Sequence, residues 1–572
     1  MRSERLFWGA ATAAVVVSGA VHSADLGPAV KAPPVLWRWT GGYIGGQVGG
    51  GSGLTSFSDP YGPSIYGDVV ETPVFLAGGQ VGYNWQKDRW VFGLELDASG
   101  AVSDGTNTCL AFSGNVVIAT CTASPNVFVT GTARIGYAVG PQSHTLVYVK
   151  GGVAWQNNRG EIANNNEFRE DDFPGFPREV RHFDYSRFGG TVGLGIEQAL
   201  TPAWSVKFEY DYMRFAGPGV ATPPTVQFPP YAIVPANTSS LSSNYHVGKV
   251  GLNYHFGADP TAPERSDPPL YPTGATAKAA PFAYPRDWSL EGGSRLWLSR
   301  GKFQWDYIIA PVMPGDTGIP NSRLTYHGLD GISGELFGRL DSPWGIFLKS
   351  NIGIGRFDKG KMNDEDSSNG GEAYSNTISG QANGKFMYYT ADAGYDFLRS
   401  STYKVGAFVG WTYYGQKSDS VGCVQTVSPY PCLTPNDRRL IGSQDTDWNA
   451  PRIGLSAETA LLERWRVSAD VAYLPWTEFS GRDHHLLREE TTFYDHRGDG
   501  GGGVQVEGIL SYFLTENLSV GIGARYWAVW TKKDSGATYN CCGGTGTQIQ
   551  DRSLAKYSME RWGTFFQASY KF

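Results

Sequence analysis

Apolar and polar residues alternate with a period of two through most of this chain. The clearest run is 204–212, where Trp204, Val206, Phe208, Tyr210 and Tyr212 share one face and Lys207, Glu209 and Asp211 the other. Successive strand side chains point to opposite faces, so such a run predicts a β-strand with one apolar and one charged face. Between Thr40 and Phe256 the pattern predicts eight strands, near 41–51, 74–86, 89–99, 127–139, 144–156, 186–200, 203–215 and 244–256. Ten more follow, near 287–299, 322–340, 344–357, 381–397, 402–416, 447–462, 464–480, 502–514, 517–531 and 560–572. Short turns such as 140–143 and 200–202 alternate with long polar stretches such as 157–185 and 216–243. Residues 257–285 are rich in Pro and Ala without periodicity, the mark of a semi-extended linker.

The same alternation suits a soluble sandwich, with the apolar face as core, or a membrane barrel, with that face toward lipid and the charges paired inside. Composition separates the two. The 572 residues include 75 Gly, 18 Trp and 31 Tyr but only 6 Met. Aromatic girdles and a glycine-rich wall are barrel requirements. Arg2 and Arg5, the apolar run from Leu6 to Val21 and the small residues Ser23 and Ala24 predict a cleaved secretion signal over 1–24. No other stretch offers a spanning helix, so membrane insertion requires closed barrels. The expected fold is therefore all-β: an eight-stranded transmembrane antiparallel barrel over 38–256, then a ten-stranded one over 286–572, in the bacterial outer membrane. Barrels this narrow fill with side chains, which weighs against an open porin. The aromatic end Ser569-Tyr570-Lys571-Phe572 suits recognition by the barrel-assembly machinery. A net charge of −7 argues against a nucleic-acid partner. Cys109 with Cys121, and Cys423 with Cys432, bracket loops and read as disulfides; Cys541 and Cys542 stay unassigned.

The candidate chemistry sits in two short pairs. Asp483 and His485 are two residues apart, as are Asp364 and Asp366, so on strands each pair presents both heads to one face. Both pairs follow strand segments and belong near a barrel mouth. A histidine beside a carboxylate, facing two further carboxylates, is a water-activating arrangement, because the carboxylate sets the imidazole tautomer and raises its basicity. The cluster Asp495-His496-Arg497-Gly498-Asp499, beside the glycines at 500–503, reads as structural. Tyr66-Gly67-Asp68 and Arg169-Glu170-Asp171-Asp172 read as solvated loop charges. Ser-His-Asp, phosphate-loop and HExxH patterns are missing from the sequence.

Two resemblances sharpen this. The opening Trp39-Thr40-Gly41-Gly42-Tyr43-Ile44-Gly45-Gly46 and the closing strand 247–256 resemble small outer-membrane barrel proteins of the Omp25/Omp31 kind, which implies a fold more than an activity. The second half resembles the omptins, ten-stranded outer-membrane proteases, at Lys361-Met362-Asn363-Asp364-Glu365-Asp366, at Pro451-Arg452-Ile453-Gly454-Leu455 and at 476–485. That resemblance implies an aspartic-type endopeptidase acting on peptides at the cell surface. His485 would be the general base on a water, Asp483 would orient it, and Asp364 and Asp366 would hold the water. It implies no cofactor, a lipopolysaccharide requirement with Arg452 as a candidate contact, and Asp306 as a candidate pocket acid. Omptins carry a pocket acid two positions before the Asp of the Asp-x-His pair; here that position is Gly481, so preference for a basic side chain is not implied. The rival reading is a non-catalytic structural or adhesive barrel.

Overall fold

The computed structural model describes residues 37–256 and 288–572, apart from 63–67, 113–115, 141, 165–178, 228–231, 308–321, 367–374, 401, 427–431, 434–436, 463, 487–491, 533–534 and 541–547. The expected signal at 1–24 and linker at 257–285 lie outside the described residues.

Strands with a lipid-facing and a lumenal side must close on themselves, because an open edge would leave backbone groups unpaired in hydrocarbon. The chain does this twice. The first ring consists of Gly41–Phe57, Val69–Lys87, Trp90–Ser103, Val116–Val139, Thr145–Asn164, Val180–Ala199, Trp204–Ala221 and Thr238–His255. Gly41–Phe57 closes it by pairing with both Val69–Lys87 and Thr238–His255, in the register Tyr43 opposite His255. The second ring has ten strands. They are Ser289–Tyr307, Ser322–Asp341, Ile346–Asp366, Ser375–Arg399, Tyr403–Gln425, Leu440–Leu462, Trp465–Leu474 continued by Thr477–His485, Gly502–Phe513 preceded by Thr492–Gly500, Leu518–Trp530 and Gln548–Lys571. Gln548–Lys571 returns to Ser289–Tyr307 and closes it.

The walls read as expected of transmembrane barrels. Leu94, Leu96, Val149 and Leu194 on the first ring, and Leu336, Ile352, Ile354 and Val409 on the second, are exposed outward. Trp85, Trp90 and Tyr137, and Trp288, Trp344 and Phe572, gather toward the short-turn ends. Inside the first ring, Lys249 lies 2.8 Å from Asp97, Arg134 3.0 Å from Glu197, and Lys207 3.0 Å from Glu95. Lys207, Glu209 and Asp211 are on the lumenal face, as their alternation with Phe208 and Tyr210 predicts. The second ring holds its own ion pairs: Arg525 with Glu335 and Glu507, both at 2.6 Å, Arg466 with Glu291, and Arg339 with Asp341 and Asp396. Above these an aromatic layer fills the lumen, including Trp297, Tyr388, Trp527, Phe386 and Tyr414. The two rings touch along their outer walls, where Phe75 stacks on Tyr473 at 4.9 Å.

The strands run further than the alternation predicts, always at the long-loop end. Residues 157–164 and 180–185, expected as loop, pair with each other as strand. Above the bilayer both faces meet polar surroundings, so the apolar marker of period two fades while the ladder continues. Asp68, expected as a solvated charge, is buried and accepts the Leu110 backbone N–H at 2.7 Å. Both expected disulfides, Cys109–Cys121 and Cys423–Cys432, are formed. Cys541 and Cys542 lie outside the described residues.

Candidate functional site

The Thr477–His485 strand extends the wall upward after a break at Pro475 and Trp476, and pairs with Leu440–Leu462 so that Asp483 faces Gln444 and His485 faces Gly442. Period two puts Phe479, Gly481, Asp483 and His485 on the inner face. His485 Nε2 lies 2.8 Å from Asp483 Oδ2; the aspartate is buried, and the histidine side chain is 34% exposed toward the mouth. A carboxylate at this distance from Nε2 favours the tautomer with the proton on that nitrogen.

The other pair belongs to the top of Ile346–Asp366. Asp364 lies opposite Leu324 on one neighbouring strand and Thr377 on the other; Asp366 lies opposite Ser322 and Ser375. The backbone of Asp366 is in register, and its side chain lies outside the described residues. Tyr326 lies within electrostatic reach of Asp364 and Asp483. Its ring is buried among the mouth strands, above the apolar band. Burial, followed by the carboxylates of Asp483, Asp364 and Asp419, pushes its phenol well above the ordinary tyrosine range. A hydrogen bond with Ser420 opposes that rise. Asp419 is held by Asn383 Nδ2 at 2.8 Å. Sequence reasoning missed Tyr326 and Asp419, because only strand register brings them to the pairs.

The floor beneath is aromatic. Phe479 stacks on Tyr557 with ring centroids 4.0 Å apart, with Trp448 at 4.8 Å and Phe303 at 5.9 Å. Arg561 lies over Phe357 and Phe386, 4.6 Å from each ring centroid, and donates to the Tyr414 hydroxyl at 3.0 Å. A Cβ added at Gly481 would meet the Phe479 ring at 2.8 Å, so the space of an expected pocket acid belongs to this floor. His496, read as structural, is buried 4.1 Å from Trp305, with the Tyr557 hydroxyl 3.3 Å from its Nδ1.

Two expected residues point elsewhere. Arg452, expected on the outer wall, is buried in the lumen, with Nε 3.5 Å from Asp392 and its guanidinium over Phe408. Its neighbour Ile453 takes the outward position instead. Asp306, expected as a candidate pocket acid, faces the outer side and is clamped by Arg323 at 2.6 and 3.0 Å. Among the described residues, Glu95, Asp97 and Glu209 come within reach of one metal ion, but Lys150, Lys207 and Lys249 already balance them.

Each half of the chain is similar to known outer-membrane proteins. Residues 11–256 match the outer membrane protein beta-barrel domain, and residues 299–562 match the family described as Protochlamydia outer membrane protein. The chain is 29% identical over 236 residues to the 31 kDa outer-membrane immunogenic protein of Brucella melitensis, covering 39% of this chain and 87% of that protein. It is 26% identical over 196 residues to the 25 kDa outer-membrane immunogenic protein of Brucella canis, covering 33% and 73%. Among solved structures, the outer membrane protease OmpT from Escherichia coli aligns with 50% of this chain and 97% of its own, at 15% identity and a TM-score of 0.41.

Proposed function

For an outer-membrane protein built of two closed β-barrels, we propose that the second barrel is a cell-surface endopeptidase of the omptin type. The observation that carries this is the Asp483–His485 contact of 2.8 Å on the inner face of the mouth. In the proposed reaction Asp364 and Asp366 hold a water, whose oxygen attacks the scissile carbonyl carbon while its proton passes to His485 Nδ1. The C–N bond of the tetrahedral intermediate then breaks, and the same proton goes to the leaving amine. Asp483 stabilises the imidazolium in between. No covalent acyl-enzyme forms. Gly481 and the aromatic floor offer no carboxylate beneath the pair, so the reading does not include preference for a basic side chain.

The same proposal takes peptide as substrate and lipopolysaccharide as the lipid partner. It includes export by a cleaved signal at 1–24 and assembly through the aromatic end at Phe572. A second reading, a non-catalytic surface barrel, is favoured by the relatives of the first half, which are named as immunogenic outer-membrane proteins. The test is to refold the full chain with lipopolysaccharide and screen a mixed peptide library by mass spectrometry, alongside His485→Ala. The proposal expects defined cleavage products from the native chain, reduced about 10²–10⁴-fold in rate in the variant. Silence from the native chain, or equal cleavage by both, leaves the non-catalytic reading.

A further inference from the structure

The strand that carries Asp364 rises out of the apolar band. Beyond Ile354 its outward residues become Arg356 and Asp358, exposed and paired with each other at 3.2 Å. The ladder with its neighbour is interrupted between His327 and Gly331, so Lys361–Asp366 is an extension above an irregularity. Its inner face presents Asp364 and its outer face Glu365. An outward carboxylate at this height should be solvated, yet Glu365 is only 7% exposed.

The cover comes from the first barrel. The strand Gly105–Phe112 pairs with Val116–Val139 and is stapled to it by Cys109–Cys121. The Thr108 hydroxyl donates to Glu365 Oε2 and accepts from Arg323 Nη1, whose other nitrogens clamp Asp306. Two residues along, the Thr106 carbonyl accepts from Gln304 Nε2 at 3.1 Å, and its hydroxyl accepts from Lys556 Nζ at 2.7 Å. Lys556 also pairs with Asp104. Gln304, Arg323, Glu365 and Lys556 stand on four consecutive strands of the second ring. A single arm therefore bonds the mouth from outside, across the strand that holds the candidate aspartates.

We infer that this arm is a positioning clamp for the mouth of the second barrel, with Thr108 as its positioning residue. A hydroxyl between a carboxylate and a guanidinium is satisfied in both directions, and both partners are buried. Replacing it with an isosteric apolar group leaves a buried acceptor and a buried donor each one bond short. Glu365 shares its peptide units with its neighbours, so any shift in it is passed to Asp364 and Asp366. The contact stands on its own geometry; only its kinetic consequence rests on the proposed activity.

The test uses the full chain, with Thr108→Val and Thr108→Ser, read by hydrogen exchange and by kinetics on the best library peptide. For the Val variant the expected result is exchange over 361–366 accelerated about tenfold, with strands of the first barrel unchanged, and kcat down about tenfold at constant KM. The Ser variant should restore both. Native-like exchange in the Val variant overturns the clamp, as does a rise spread over both barrels, which would mark a general structural role. Local loosening without a change in kcat removes the positioning role. If the native chain cleaves nothing, the proposed activity fails, and exchange alone decides the clamp.

Discussion

His485 owes its proposed role to what lies on either side of it in space. Asp483 below it is buried and 2.8 Å from Nε2, while the mouth lies above. Asp483→Asn keeps the shape but replaces a carboxylate acceptor with an amide, which favours the wrong tautomer. A drop in kcat of about 10²–10⁴-fold is expected, with native expression and folding, measured on the same peptide as the native chain. Gly481 is the other informative position. A side chain there meets the Phe479 ring at 2.8 Å, and that ring is stacked on Tyr557 and is not free to swing. Gly481→Asp is therefore expected to lower the thermal midpoint without creating preference for a basic residue, a result read from library products and a melting curve.

At the scale of strands, the mouth depends on breaks in the ladder. Gly500 and Gly501 have φ of +73° and +69° and join Thr492–Gly500 to Gly502–Phe513. A Cβ at Gly501 would lie 2.1 Å from the Trp530 carbonyl oxygen. Gly501→Ala is expected to cost at least about 1–3 kcal/mol, visible as a lower denaturant midpoint for the second barrel. The glycine run at 500–503 looks like a turn in sequence, yet it is a bend within one wall strand. The reason is that Thr477–His485 and Trp465–Leu474 supply a partner on each side of it. Strand number and facing were legible because lipid imposes alternation on one face: Lys207 and Glu209 could only be lumenal beside Phe208 and Tyr210. The strand tops were not, because above the bilayer Asp68 or Glu365 can be buried by a neighbouring element that local pattern does not reveal. The contact between Asp483 and His485 was legible as a same-face doublet. Tyr326 and Asp419 were not, since their approach follows from register between distant strands. Arg452 and Asp306 were misplaced because their roles came from the family resemblance: alternation with Ile453 puts Arg452 inside, and above the bilayer Phe303 and Trp305 turn inward, so Asp306 faces out.

At the scale of the whole molecule, side chains among the described residues fill the lumens of both barrels. The first lumen is crossed by Lys150, Lys207, Lys249 and Arg134 with their acids, and the second by ion pairs under an aromatic layer. The full chain reconstituted in planar bilayers is expected to give no steady open-pore conductance; a sustained conductance step would mean that one lumen is not filled. Arg525 is fully buried between Glu335 and Glu507, which it shares with Arg295, so Arg525→Met removes one of the two cations these carboxylates face. The expected loss is at most about 3 kcal/mol, and Glu335→Gln in the same chain should recover part of it, as read from denaturant midpoints. The central claim is that His485 activates a water at the mouth of the second barrel. Its most direct test is a single-turnover cleavage in ¹⁸O-water, analysed by mass spectrometry. The predicted result is one ¹⁸O in the new C-terminal carboxyl, no covalent adduct on the protein, and product formation slowed about 10²–10⁴-fold in His485→Ala. A trapped acyl-protein, or labelled product formed equally without His485, would contradict it.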